Sequence, residues 1–200
     1  MRPRSGDSVK LLAGLGNPGE KYRLTRHNVG FMVAERLAAV AGIALKRKGH
    51  QALYGAGRVA AVETTVLLPQ TYMNLSGASI GSALKSLGIA PGDLIVVHDD
   101  IDLPFGRIKF KFGGGHGGHN GIRHIRQVLG HGDFVRCKIG VGRPVGEGDV
   151  VAHVLKPFSS AERKVLDQVL DGAVDALRIA LCEGVEAGMN AYNNRDLFTS

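Results

Sequence analysis

Seven side chains have the types and loop settings for proton transfer or oxyanion binding: His27, Asp99, His116, His119, Asn17, Asn74 and Asn120. No serine or cysteine in a setting suited to a nucleophile stands with them. A histidine held in one tautomer by a carboxylate can take a proton from water. Carboxamides can orient that water or donate to a developing oxyanion. If these groups converge, the expected chemistry is hydrolysis of an ester or amide by an activated water.

Two other chemistries have a formal match. His116 and His119, with His98 and Asp99, offer zinc ligands, but glycines surround the pair and no H-E-x-x-H or paired-cysteine frame supports it. No metal is expected. Gly77-Ala-Ser-Ile-Gly81 matches the G-x-S-x-G nucleophile elbow, with Asp99 and His116 following in hydrolase order. An elbow needs a strand running straight into its serine. Here Pro69 to Ser76 intervene, and Ser79 falls in a helical turn.

The elements that must position these groups can be read from periodicity. A strand at Val9–Ala13 runs into Gly14-Leu-Gly-Asn-Pro-Gly19, which formally fits the dinucleotide fingerprint. Pro18 and the polar run that follows replace the helix opening that fingerprint needs, so a loop presenting Asn17 is expected. Apolar spacing predicts a helix from Asn28 to Val40, with His27 just before it. The cluster Lys46-Arg47-Lys48 reads as a solvated loop, followed by strand-like segments through Val59 and from Val62 to Leu68. A helix carries Ile80, Ala83, Leu84 and Leu87, with Asn74 at its entrance. Asp93–Asp100 suits a strand buried on both faces, which places Asp99 at the C-terminal end where open α/β sheets gather their sites.

From Arg107 the residues alternate, with Arg107, Lys109 and Lys111 on one face and Ile108, Phe110 and Phe112 on the other. A glycine turn bearing His116, His119 and Asn120 leads to a helix from Ile122 to Leu129, whose N-terminal amides favour anions. A strand from Phe134 to Val141 adds Arg136 and Lys138 to the cationic face. Val150–Phe158 reads as an ordinary connection, the other reading being a cover above a cleft. Ser159-Ser-Ala-Glu162 is a capping box for a long helix with Leu166, Val169, Leu170, Ala173, Leu177 and Leu181 on its stripe.

Two hundred residues with 44% apolar content fit one domain. Residues 1–8 read as a disordered leader and 9–200 as the domain. Nothing resembles a secretory segment, and no apolar run approaches the roughly 20 residues that span a bilayer, so no membrane partner and a cytoplasmic location are expected. Cys137 and Cys182 read as small buried hydrophobes. The net charge of +7 is uneven, with +8 in residues 1–60, −4 in 61–102, +7 in 103–143 and −4 in 144–200. Positive charge gathered around the glycine motifs points to a polyanion, nucleic acid first.

Four blocks together resemble bacterial peptidyl-tRNA hydrolases: Gly14–Gly19 with Tyr22 and Thr25-Arg-His-Asn28; Thr71-Tyr-Met-Asn74-x-Ser-Gly; His98-Asp-Asp-x-Asp-Leu-Pro104; and Lys111 through Gly121. The resemblance runs from about Val9 into the C-terminal region. It implies a monomeric, single-domain α/β enzyme with a mixed, largely parallel twisted sheet flanked by helices. It also implies cleavage of the ester between a peptide and the 3′ end of tRNA, without metal or other cofactor. His27 matches the family's catalytic base and Asp99 the aspartate that orients it. Asn17, Asn74 and Asn120 match asparagines that bind the peptide backbone or position water, and Tyr22 and Met73 match site-lining residues. His119 is expected beside Asn120 at the scissile ester, whereas His116 has no assigned role. Lys111 and Lys138 match a clamp for the tRNA 5′-phosphate. The second is often arginine, and lysine keeps the charge without the bidentate fork.

Overall fold

A computed structural model describes residues 8–146 and 148–198. The expected leader falls outside these residues except for Ser8, whose hydroxyl donates to Asp93 Oδ1 at 3.0 Å.

Leu11, Leu12 and Ala13 are wholly buried, as a strand in the middle of a covered sheet requires. They belong to β1 (Lys10–Gly14), the central strand of seven. With α1 (Val29–Val40), β2 (Arg47–Gly49), β3 (Ala52–Val59), β4 (Val62–Pro69), α2 (Ser76–Leu87), β5 (Leu94–Asp100), β6 (Ile108–Phe112), α3 (Asn120–Leu129) and β7 (Val135–Gly140), the sheet order is β2-β3-β4-β1-β5-β7-β6. The four strands β4, β1, β5 and β7 run parallel, and β2, β3 and β6 add antiparallel edges. The sheet is thus mixed, as expected. After β7 come the short α4 (Val150–Val154), the long α5 (Ser160–Cys182) and α6 (Val185–Tyr192).

Each face of the sheet carries its own core. Leu12, Val97 and Phe110 pack with α1, α5 and α6 on one side, while Leu11, Ala13 and Val96 pack with α2 and α3 on the other. Alternation along one strand feeds both layers. The capping box is present, with Ser159 accepting from Glu162 N and Glu162 accepting from Ser159 N.

Two glycines let α1 settle on the strands without side chains between them. A Cβ on Gly30 would lie 2.3 Å from the Val97 carbonyl oxygen, and one on Gly14 would lie 2.3 Å from that of Gly30. The first turn of α1 therefore rests on the backbones of β1 and β5, close to the ends that carry Asn17 and Asp99. At the outer edge of the sheet the Asn193 carboxamide accepts from Phe110 N at 2.7 Å and donates to Phe110 O at 3.0 Å.

Four local expectations change. Lys46–Lys48 is exposed as predicted, but Arg47–Gly49 is an edge strand that pairs Arg47 with Tyr54, because the tight turn after it folds the chain back on β3. Phe112 is 55% exposed, since Ile108 and Phe110 lie under α5 and α6 while Phe112 projects at the end of the edge strand. Cys137 is buried in β7, but Cys182 is exposed at the last position of α5, beyond the packed stripe. The helix expected at Ile122 starts at Asn120, because the His119 side chain caps it by accepting from Ile122 N.

Candidate active site

Asp99 is the last buried residue of β5, one before its end, and is 2% exposed, so its charge needs partners. It has two. His27 Nδ1 lies 3.0 and 2.9 Å from its two oxygens, and His119 Nε2 lies 2.9 Å from Oδ1. Burial works to raise the carboxyl pKa, but the adjoining histidines outweigh it and hold the group far below the usual carboxylate range. An ionised carboxylate only accepts, so both ring nitrogens donate.

This fixes the tautomers. His119 carries its proton on Nε2, which leaves Nδ1 to accept from Ile122 N at 3.3 Å. His27 carries its proton on Nδ1, which leaves the Nε2 lone pair without a protein partner among the described residues, at the wall of a cavity of about 760 Å³. Burial works to lower the His27 pKa, but the charge and hydrogen bond of Asp99 prevail and raise it above the ordinary value.

His98 adds a third imidazole, on the far side of His119 in a row with His27. Its Nδ1 lies 2.7 Å from the Asp99 carbonyl oxygen, and its ring meets that of His119 edge to face at 4.7 Å. Burial, then the neighbouring His119, pushes its pKa well down, so His98 stays neutral. It lines the inner wall of the cavity and adds no competing charge.

Asn17 is fixed from three sides. Its Oδ1 accepts from Met73 N at 2.7 Å, and Asn28 grips its backbone, Oδ1 accepting from Asn17 N and Nδ2 donating to Asn17 O, each at 2.9 Å. The Asn17 carboxamide nitrogen, Nδ2, remains as a donor at the cavity wall. Met73, Asn74, His119 and Asn120 line the same cavity, with Asn74 and Asn120 exposed on its rim. Tyr22 does not line it. That ring is half-buried in the turn Glu20–Tyr22, with the Lys21 ammonium 4.8 Å from its centroid. His116 lines the cavity, and its Nδ1 accepts from Gly118 N at 3.0 Å, which makes it a former of the glycine turn.

Of the cationic side chains, Lys111, Arg136 and Lys138 reach this cavity. Lys138 is ion-paired with Asp100. Arg136 departs from the expected surface role. It is 3% exposed and donates Nη1 to Gly115 O at 2.7 Å and Nη2 to Gly113 O, filling the carbonyls the glycine turn leaves open.

Sequence reasoning passed over Arg26. Its Nη2 meets Glu162 Oε2 at 2.6 Å, Nη1 donates to Pro157 O at 2.9 Å, and its backbone nitrogen donates to Lys156 O at 3.1 Å. The turn bearing His27 is thereby fastened to the segment after α4. Val150, Val151 and Val154 of α4, with Leu155 just after it, give the same cavity an apolar lining, so this stretch does more than connect. The only advance signal was Arg26 lying beside a candidate base.

Asp99 Oδ and the ring nitrogens of His27 and His119 lie within 4.8 Å of one another, a spacing open to a cation. Binding there would displace both N–H donors from the carboxylate. Ser79, the serine of the elbow pattern, is wholly buried inside α2 and does not line the cavity. Among the described residues no helix is long and apolar enough to cross a membrane.

The family model for peptidyl-tRNA hydrolase matches residues 11–199. The peptidyl-tRNA hydrolase of Syntrophotalea carbinolica is 55% identical over 94% of this chain and 98% of its own. That of Geotalea daltonii is 51% identical over 95% and 99%. A crystal structure of peptidyl-tRNA hydrolase from Acinetobacter baumannii superposes with a TM-score of 0.88 at 38% identity, covering 94% of this chain and 96% of that one. With the family model, near full-length relatives at about half identity and the fold all in agreement, the chain belongs to the peptidyl-tRNA hydrolase family.

Proposed function

We propose that His27 is the general base and Asp99 its orienting partner in the hydrolysis of peptidyl-tRNA, the function of this family. The observation that carries the reading is the His27 to Asp99 contact, which leaves the Nε2 lone pair facing the cavity. A water beside Nε2 gives up a proton as its oxygen attacks the ester carbonyl. The Asn17 carboxamide Nδ2 donates to the oxyanion that forms, with Asn74 and Asn120 holding the water and the peptide main chain. The intermediate then collapses, its bond to the 3′-oxygen of the terminal adenosine breaks, and that oxygen takes the proton from the His27 imidazolium. Peptide acid and free tRNA leave, and the histidine is neutral again.

Contacts to peptide backbone and to phosphates are blind to sequence, which suits an enzyme that accepts any peptide on any tRNA. Lys111 and Lys138 form the phosphate clamp. For Lys138 this means exchanging Asp100 for phosphate. Met73 and His119 shape the floor, while Tyr22 acts through its turn. The chain works as a cytoplasmic monomer, without metal. The test is release of N-acetylated amino acid from tRNA by the purified chain with chelator present. Activity should persist there and fall by about 10²–10⁴ in His27→Ala. Normal turnover by that variant, or activity that returns only with added zinc, overturns the assignment.

A further inference from the structure

Three cations crowd the glycine turn that follows β6. A Cβ on Gly114 would lie 2.9 Å from Lys111 Nζ and 3.0 Å from Arg136 Nη2, and one on Gly115 would lie 4.0 Å from Arg126 Nη1. The strand register sets Lys111 directly opposite Arg136. Arg136 is committed to the carbonyls of Gly113 and Gly115 and is buried. Its own pKa is lowered, by burial first and by the charge of Arg126 next.

Arg126 is different. It makes no salt bridge and no side-chain hydrogen bond among the described residues, and its Nε is buried without a partner. The nearby acids are engaged elsewhere: Asp100 pairs with Lys138, and Asp133 faces His131 at 3.7 Å. Asp100 also acts on Arg136, but none of the three cations has an ion-pair partner among the described residues, and like charges so held leave a vacancy for an anion. The turn beneath them has positive φ at Gly113 and Gly114, +67° and +86°, so the backbone there carries no side chain to block approach.

We propose that a phosphate of the tRNA backbone sits over Gly114 and Gly115, between the Lys111 ammonium and the Arg126 guanidinium, with Arg136 as the buried strut beneath. The seat rests on the peptidyl-tRNA reading and adds to it a third arm. Lys138 keeps its charge balanced by Asp100 until substrate arrives, whereas Arg126 stands uncompensated. A free guanidinium can grip two phosphate oxygens at once, which Lys111 alone cannot.

The test is steady-state cleavage of N-acetylphenylalanyl-tRNA across a potassium chloride series by the parent, Arg126→Gln and Arg126→Lys. Intact and 5′-dephosphorylated tRNA are compared, and N-acetylphenylalanyl-adenosine serves as a substrate without a tRNA body. Arg126→Gln should raise KM about tenfold at low salt, the loss of one charge-assisted contact. It should also flatten the slope of log(kcat/KM) against log[salt] by about 0.7–0.9. Its kcat, and its cleavage of the adenosine ester, should match the parent, and Arg126→Lys should recover most of the KM. An effect that survives dephosphorylation assigns the seat to an internal phosphodiester. One that vanishes assigns it to the terminal phosphate. Unchanged KM and salt slope, or an equal loss on the adenosine ester, overturns the proposal while leaving the hydrolase reading intact. A parent that cleaves no N-acetylphenylalanyl-tRNA refutes both.

Discussion

Gly30→Ala tests whether the packing of α1 on the sheet sets the catalytic geometry. The new methyl carbon would start 2.3 Å from Val97 O and 2.6 Å from both Leu15 N and Leu15 O, all backbone atoms that cannot rotate away. Ordinary contact begins near 3.4 Å, so the first turn of α1 must retreat by about 1 Å. His27 lies three residues before Gly30, and Asp99 two residues after Val97. The displacement therefore acts on both ends of a bond that now measures 2.9 Å. A misplacement of about 1 Å costs on the order of 10² in rate. Stability should change less, because overpacking costs about 1–3 kcal/mol while alanine gains roughly 1 kcal/mol over glycine in a helix. At about 2–4 °C per kcal/mol for a chain of this size, Tm should fall by less than about 10 °C. The assay is kcat for N-acetylaminoacyl-tRNA beside a thermal melt. Gly92→Ala, with nothing within 4 Å of its Cβ, serves as the control. A folded Gly30→Ala whose kcat lies within about threefold of the parent would refute the idea that this contact fixes the base.

Asp99→Asn removes what raises the His27 pKa and leaves the burial that lowers it. The acid limb of kcat/KM should move to lower pH while the plateau falls by about 10²–10⁴. A limb that stays in place would mean another group is titrating. Because His27 binds its proton more tightly folded than unfolded, its stabilising contribution is full below the ordinary histidine value and is lost as pH rises through the raised one. The Tm gap between the parent and His27→Gln should therefore narrow from mildly acidic to alkaline buffer. Arg26→Met leaves Glu162 without its partner in a pair whose side chains are only 9% and 18% exposed, and should cost about 3 kcal/mol by denaturant unfolding. A thiol reagent should label one cysteine in the native protein, Cys182, and two after denaturation. Cys137 is buried, with its thiol pKa pushed far up.

What could be read in advance was whatever lay in periodicity or motif. The apolar run before Asp99 announced a doubly covered strand, and the residue types around it announced water activation. The pairing of His27 with Asp99 followed from the family resemblance, and the structure holds the two in contact. Alternation misled at Phe112 and Arg136, because period two sorts side chains by face without saying what covers that face. Phe112 faces no helix, whereas Arg136 meets the open carbonyls of a turn some twenty residues away in sequence. Arg26 and Asn28 stood in the sequence only as motif neighbours of His27, and His98 only as a candidate zinc ligand, for a related reason. Each acts through a partner distant in the chain or through a backbone atom, and neither leaves a mark in residue type.

Asn193 gives the open margin of the sheet a property that its strands lack. An edge strand offers unpaired backbone groups to any extended chain that passes, including a second copy of itself. The Asn193 carboxamide meets the outward N–H and C=O of Phe110 as a peptide group would, so one side chain stands in for an eighth strand. On either side of it Lys109 and Lys111 repel an approaching basic edge, and at the opposite margin Arg47 and Lys48 do the same. Sheet-to-sheet growth is therefore blocked by a plug at one margin and by like charge at both. The charge half of that protection would weaken under the proposed tRNA contact, and the carboxamide plug would not. Replacing Asn193 would leave a chain whose resistance to aggregation depends on salt and bound nucleic acid.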